Sequence, residues 1–481
     1  MFTSIFSLKP WSLTTSSLLL SIFVLVVVLV IANANRRRSV APTEDRVMWL
    51  PGPRGIRTTI KDLLGIRRKG SRNMYEKTKT YGKIFGIGSG EGAYVIIMDY
   101  AHLEEAFVTK ADMYSDRGGI IRTMLESVLP ERGSIFNNGT AWNESRGFVA
   151  KTLKNPDFGA TTISRCISDS LPMLCSKLDA LVEHPLDPKG IYQSFFIDVF
   201  HRIAFGVGIS YLDEDIKKFI DDLDNVVCQT LNPSSLLLFR PSLINSRLFR
   251  GYRSNLRNSS RYVKTQSEDV LEKRHAPEKS SSLIALFAKY VEDIRSSGKS
   301  SYSEPEDGWV IVYNMFFAAA DTIHEVLLWL TLFLAAHSHI QVKMRNEIET
   351  IINSGGTAPL YDQRSHFPVV MSTILEVLRM RPAAPMGVPH IASETGSIGG
   401  YSIPKGPRSC PGEQVARRVI FQTVVSMVTR YRISLPEGTH SPRLDNEKRS
   451  FTMNPERFKV VFVKTHSNQI QVKDLETSIA M

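Results

Sequence analysis

Residues 401–412 read "YSIPKGPRSCPG". The second half, "GPRSCPG" at 406–412, is a tight loop that presents a single sulfur, Cys410, as loops that hold a metal through one cysteine do. The first half, "YSIPKG", is a short strand followed by a turn. The two halves belong to different parts of a fold, yet here they are adjacent. Everything else in the chain bears on what that junction means.

The chain has 481 residues, 43% hydrophobic and 22% charged, enough for a large core in one big domain or two to three ordinary ones. It has no internal repeat and no long low-complexity tract. Lys and Arg total 59 against 48 Asp and Glu, a net charge of +11. A solvated basic surface, an anionic membrane surface or an acidic protein partner all fit that balance. Nucleic acid does not, because the basic residues are scattered and no nucleic-acid module is present. The four cysteines, Cys166, Cys175, Cys228 and Cys410, show no CxxC and no zinc spacing with histidine. They are expected to be reduced thiols, with the first three as small core residues in helical stretches.

From Trp11 to Ala32 no residue is charged, a run long enough to span a bilayer. Arg36–Arg38 follow at once, and Lys9 is the only charge before it. The positive-inside bias then places the rest of the chain in the cytosol. A cleaved signal peptide is the rival reading, since "ANA" at 32–34 resembles a cleavage site. With a retained anchor, the sequons at Asn138, Asn143 and Asn258 stay unglycosylated. "LPGPRG" at 50–55 is a stiff hinge, because Pro51 and Pro53 fix φ.

Residues 81–98 read as two strands around a Gly-rich turn, not as a phosphate loop, since neither GxGxxG nor GK[ST] occurs. From about 101 to 350 the pattern is mostly helical. Loops are expected at "HAPEKSSS" and "SSGKSSYSEPEDG". Residues 309–337 are apolar nearly all round, so they make a buried helix. Asp321, His324 and Glu325 would be costly in lipid, which places that helix in a protein core with a polar break at Ala320–Thr322. A second helix, 369–382, carries Glu376 and Arg379 at i and i+3 among apolar neighbours, and the pair is expected to be buried.

Taken in order, these pieces resemble the cytochrome P450 family, in its membrane-anchored, microsomal style. The resemblance rests on the hinge, on Trp142 and Arg146 in "FNNGTAWNESRGFVAKTL" as WxxxR, and on "AAADTI" at 318–323. It rests equally on "EVLR" at 376–379 as ExxR, on "PMGVPH" and "GYSIPKG", and on "GPRSCPG". It implies a mainly α fold with small β-sheets (α+β), one N-terminal transmembrane helix, and incompleteness near the haem loop. The implied domains are an anchor at 1–35, a linker at 36–55 and a catalytic domain at 56–481. The implied cofactor is haem b, with electrons from NADPH through a cytochrome P450 reductase. The implied substrate is an apolar small molecule, and the implied place is the endoplasmic reticulum membrane.

By the same resemblance, Cys410 is the axial ligand of the haem iron. Arg408, Arg146, Trp142, His390 and, more weakly, Arg117 serve the haem propionates. Asp321 and Thr322 relay protons to bound dioxygen. Two departures stand there: Ala319 for glycine, and Ile323 for a second hydroxyl residue. Substrate contacts are expected from 118–135, about 205–250, the 316–323 turn and the last strands. Arg417 and Arg418 are the candidates for a basic face toward an acidic partner.

The family places a strand, a helix, an irregular meander and an aromatic residue between "YxIPKG" and the cysteine. Here Gly406 meets Pro407 directly, and Glu376 and Cys410 lie 34 positions apart. Family members show about twice that separation, so an internal segment is missing near 406/407. "PERF" at 455–458 falls after the cysteine, so Arg457 is not expected to complete a triad with Glu376 and Arg379. A form lacking that segment is expected to hold haem poorly, which leaves a catalytically silent P450-like membrane protein as the alternative.

Overall fold

The structure, a computed structural model, describes residues 50–52, 71–87, 94–110, 114, 116–117, 119–210, 213–230, 244–273, 281–354, 359–385, 387–388, 390, 395–399, 401–404, 410, 412–439, 447–448 and 453–465. The expected anchor, its linker, Arg408 and the 406/407 junction lie outside the described residues. Among them the helices are α1 Ser71–Tyr81, α2 Tyr100–Glu104, α3 Gly119–Glu126, α4 Gly139–Lys154, α5 Ile163–Asp179, α6 Lys189–Phe205 and α7 Glu214–Thr230. There follow α8 Arg250–Glu272, α9 Leu283–Ser296, α10 Gly308–Ala336, α11 Ser338–Asn353, α12 Pro368–Met380 and α13 Glu413–Arg430. Four antiparallel two-stranded sheets complete the fold. They pair β1 Ile84–Ile87 with β2 Tyr94–Ile97, β3 Thr395–Ile398 with β4 Tyr401–Pro404, β5 Tyr431–Ser434 with β8 Val461–Lys464, and β6 Glu447–Lys448 with β7 Asn454–Pro455. The mainly α reading with small sheets is the observed one, and the hairpin at 81–98 forms as expected.

The middle of the molecule is α10. Its start is set by Pro305 and a capping box, in which the Glu304 backbone N–H donates to Asp307 Oδ2 at 2.8 Å. By length and hydropathy it could cross a membrane, but 78% of its apolar window is buried inside the protein. α6, α7, α8 and α9 pack along it, and α11, α12, α13 and β5 enclose the rest. Phe316 is the hub of this packing, with ring contacts to Phe200, Phe205 and Phe219 at 6.2, 6.2 and 5.3 Å.

Several polar groups inside the core are paired with backbone or with one another. Thr331 donates to the Leu327 carbonyl at 2.8 Å and sits 2.6 Å from the Tyr192 hydroxyl. Asn314 accepts from the Ile135 N–H at 3.2 Å, clamping the loop before α4 onto α10. Gly133 is required in that loop, since a Cβ there would stand 2.4 Å from Asn314 Oδ1.

Three expectations are corrected. The polar break at Ala320–Thr322 does not form, and α10 runs unbroken from 308 to 336. Alanine at 319 removes the glycine that would loosen the turn, and alanine is the strongest helix former. Cys228 is exposed on α7, whereas Cys166 and Cys175 are core residues. Arg418 is no surface cation: it is buried, its guanidinium gripping Asp362 with two bonds of 2.7 Å.

Phe316 is fully buried at the meeting point of α6, α7 and α10. Phe316→Ala is expected to destabilise the chain by about 3–5 kcal/mol, the range for truncating a core aromatic. Denaturant unfolding of the two proteins side by side measures this.

Candidate functional site

Arg117 and Arg146 come together from different segments. The Arg117 backbone is pinned by Asn138, whose Oδ1 accepts from the Arg117 N–H and whose Nδ2 donates to the Arg117 carbonyl, both at 2.7 Å. Asn138 begins α4 but spends its side chain on Arg117, not on capping the helix. The Arg117 guanidinium is buried and donates to the Val388 carbonyl at 2.8 Å. Burial, and then the charge of Arg146, push Arg117 down to about 10. Arg146, one helical turn after Trp142 on α4, is also lowered by burial, while the sulfur of Cys410 acts in the opposite direction.

A buried and a half-buried guanidinium close together suit a doubly anionic ligand, such as the two propionates of haem. Cys410 lies two residues before Gly412, the residue that caps α13, so its sulfur stands near a helix N-terminus as well as near Arg146. A lone sulfur presented beside a helix N-terminus can ligate a metal. The residues present therefore fit a haem: Cys410 to the iron, Arg117 and Arg146 to the carboxylates.

Trp142 and His390 each bond to a backbone carbonyl. Trp142 donates its Nε1–H to the Ser134 carbonyl at 3.0 Å. His390 Nδ1 lies 3.0 Å from the Tyr114 carbonyl, its ring 4.7 Å from that of Phe107. Because a carbonyl only accepts, Nδ1 carries the proton. Both tie down backbone around Arg117 and Arg146, and Arg408 lies outside the described residues.

The distal candidates sit on α10. Asp321 is 9% exposed, and the Thr322 hydroxyl donates to the Ala318 carbonyl at 3.1 Å, one turn back. The helix is continuous at this turn, where an opening was expected. Beside them His324 and Glu325 are fully buried, with His324 Nε2 3.0 Å from Glu325 Oε1.

The expected buried pair of Glu376 and Arg379 is the clearest correction. The pair forms, with two bonds of 2.7 Å, but its side chains are 54% and 70% exposed. The Glu376 carboxyl is held below the usual range by Arg379, as a surface pair would be. Ser372, Leu375, Glu376, Arg379 and Met380 make one continuous exposed face of α12. Two of them, Leu375 and Met380, are large apolar side chains. Nothing in α12 alone would have shown this, because exposure depends on what stands over the helix. Arg457 is exposed after β7.

A family model described as "Cytochrome P450" matches residues 51–407 and 405–462, two stretches that overlap at the junction. Among curated relatives, human cytochrome P450 2U1 is 24% identical over 435 residues, covering 79% of each chain. Rat cytochrome P450 2B15 is 25% identical over 400 residues, covering 82% of this chain and 78% of its own. Among solved structures, a zebrafish cytochrome P450 with progesterone has a TM-score of 0.70 at 18% identity. Another, with abiraterone, has 0.68 at 20% identity, and each match covers 81% of this chain and 98% of the other. These structures establish the fold, while the relatives are of the microsomal type. Family membership implies a haem cofactor, an electron-supplying redox partner and hydrophobic substrates. On its motifs, its fold and the family match, the chain belongs to the cytochrome P450 family of haem monooxygenases.

Proposed function

We propose that this chain is built to insert one oxygen atom from O2 into an apolar small molecule, with electrons from NADPH delivered through cytochrome P450 reductase. The observation that carries the reading is the convergence of Arg117, Arg146 and Cys410 from three segments of a P450 fold. Cys410 would ligate the haem iron, and Arg117, Arg146 and Arg408 would hold the propionates. Trp142 and His390 position the backbone around them. The haem supplies oxygen activation, with the thiolate pushing electron density toward O–O cleavage.

This chain's own residues manage the protons. Asp321, at the edge of burial, takes a proton from water. Thr322 passes it on when its hydroxyl leaves the Ala318 carbonyl. Ile323, buried beside them, limits water entry to that route. Glu376 and Arg379 are structural. Residues 1–35 anchor the chain in the endoplasmic reticulum membrane by a single span, 36–55 form the linker, and the catalytic domain, 56–481, faces the cytosol. Microsomal relatives support that placement.

A second reading is favoured by specific observations. Cys410 is exposed, and the Glu376–Arg379 face of α12 is uncovered with Leu375 and Met380 beside it. The family match also breaks at 405–407. All three agree with an internal deletion near 406/407 that removed the cover. The form with this sequence is then impaired at the cysteine seat and is a largely silent, membrane-tethered P450-like protein.

The reduced, carbon-monoxide-bound difference spectrum of the full chain in microsomes with haem supplied separates the two. With the seat impaired, the shorter-wavelength band of lost thiolate ligation dominates. A dominant strongly red-shifted Soret band, abolished by Cys410→Ser, establishes the working monooxygenase instead.

Thiol labelling gives an independent check. Cys228 and Cys410 are exposed, whereas burial pushes Cys166 up to about 11. At mildly alkaline pH, Cys228 and Cys410 are expected to react in the folded haem-free chain, and Cys166 and Cys175 only on unfolding. Protection of Cys410 alone by added haem would mark it as the ligand; equal labelling with and without haem would show that the sulfur stays off the iron.

A further inference from the structure

We propose that Asp321, His324 and Glu325 on α10 form a binding site for a divalent transition-metal ion of the zinc class. The three residues stand at i, i+3 and i+4, so they share one face of the helix. One ligating atom from each lies within 4.8 Å of the others. His324 Nε2 and Glu325 Oε1 are 3.0 Å apart, close to the separation of about 3.3 Å that two ligands of one tetrahedral zinc adopt.

A second observation points to a ligand. His324 has no exposed surface, yet neither of its ring nitrogens has a hydrogen-bond partner. The approach to Glu325 is close but out of line for a hydrogen bond. Buried imidazoles are nearly always partnered, and one facing two carboxylates has the surroundings of a metal ligand. Glu325 is buried beside His324, and a dication would bind the imidazole and both acids at once.

The donor set narrows the ion. An imidazole with two carboxylates suits zinc or a neighbouring first-row metal, whereas calcium and magnesium prefer all-oxygen shells. Three protein ligands leave a fourth position for water, entering beside Asp321, the most exposed of the three. The site is on α10, not on the Cys410 loop, so it needs no haem. Asp321 would serve either the ion or the proton route, and zinc would therefore compete with that route.

The test uses the full-length haem-free chain in detergent, titrated with Zn2+ against a chelator and with Co2+ as a visible probe. The expected result is one tightly held ion per chain, a Co2+ spectrum of low coordination number, and a zinc-dependent rise in Tm. The near-isosteric Asp321→Asn and Glu325→Gln should each weaken binding by at least about tenfold, since even outer-shell changes act on that scale. His324→Ala should abolish it, and Asp321→Asn keeps the test informative if His324→Ala does not fold. No tight ion on the folded chain, or an ion held equally well by both isosteric variants, would overturn the proposal. In that case His324 and Glu325 are a core polar pair and any zinc sits on other histidines.

Discussion

A 29-residue helix that is apolar on nearly every side can persist in water only when other elements cover it all round. Covering α10 sets most of this fold. Helices α6 to α9, and α11 to α13 with β5, pack around it. The polar groups caught inside follow from the same constraint. Thr322 and Thr331 return their hydroxyl protons to carbonyls four residues back, and Asn314 takes a loop N–H. His324 is the exception within this helix.

Positive charge drawn into the interior defines the functional end of the molecule. Arg117 is buried and Arg146 half-buried near it, and an anion joining them would favour both charges. Arg418 has such an anion in Asp362 and thereby fixes α13, the helix that follows Cys410. The sulfur thus sits ahead of a firmly docked helix, facing a cationic wall, but itself open to solvent. The two arginines and the docked helix are in place, while Cys410 and the Glu376–Arg379 pair on α12 are exposed.

Much of this was legible in the sequence because it follows from local chemistry. The unbroken apolar run gave α10, the glycine-flanked hydrophobic runs gave the β1–β2 hairpin, and Glu376 and Arg379 pair as their spacing requires. What was not legible depends on distant partners. Arg418 looked like a surface cation because its acid lies 56 positions away. Asn138 looked like a sequon, and its clamp on Arg117 spans 21 positions. The exposure of Glu376 depends on what other elements stand over α12, which the helix's own residues do not record. The expected break in α10 failed for a local reason, alanine in place of glycine at 319, whose consequence was underweighted. Asp321, His324 and Glu325 stand out in the sequence as polar positions in an apolar run, but the convergence of their ligating atoms depends on side-chain geometry.

The central claim is that the uncovered face of α12 marks the missing support of the cysteine seat. The most direct test inserts the corresponding segment of a microsomal relative between Gly406 and Pro407 and compares haem stoichiometry with that of the parent chain after equal haem loading. The account predicts substoichiometric haem in the parent and near one haem per chain in the graft, lost again on Glu376→Ala. Full and equal haem occupancy in both chains would contradict it.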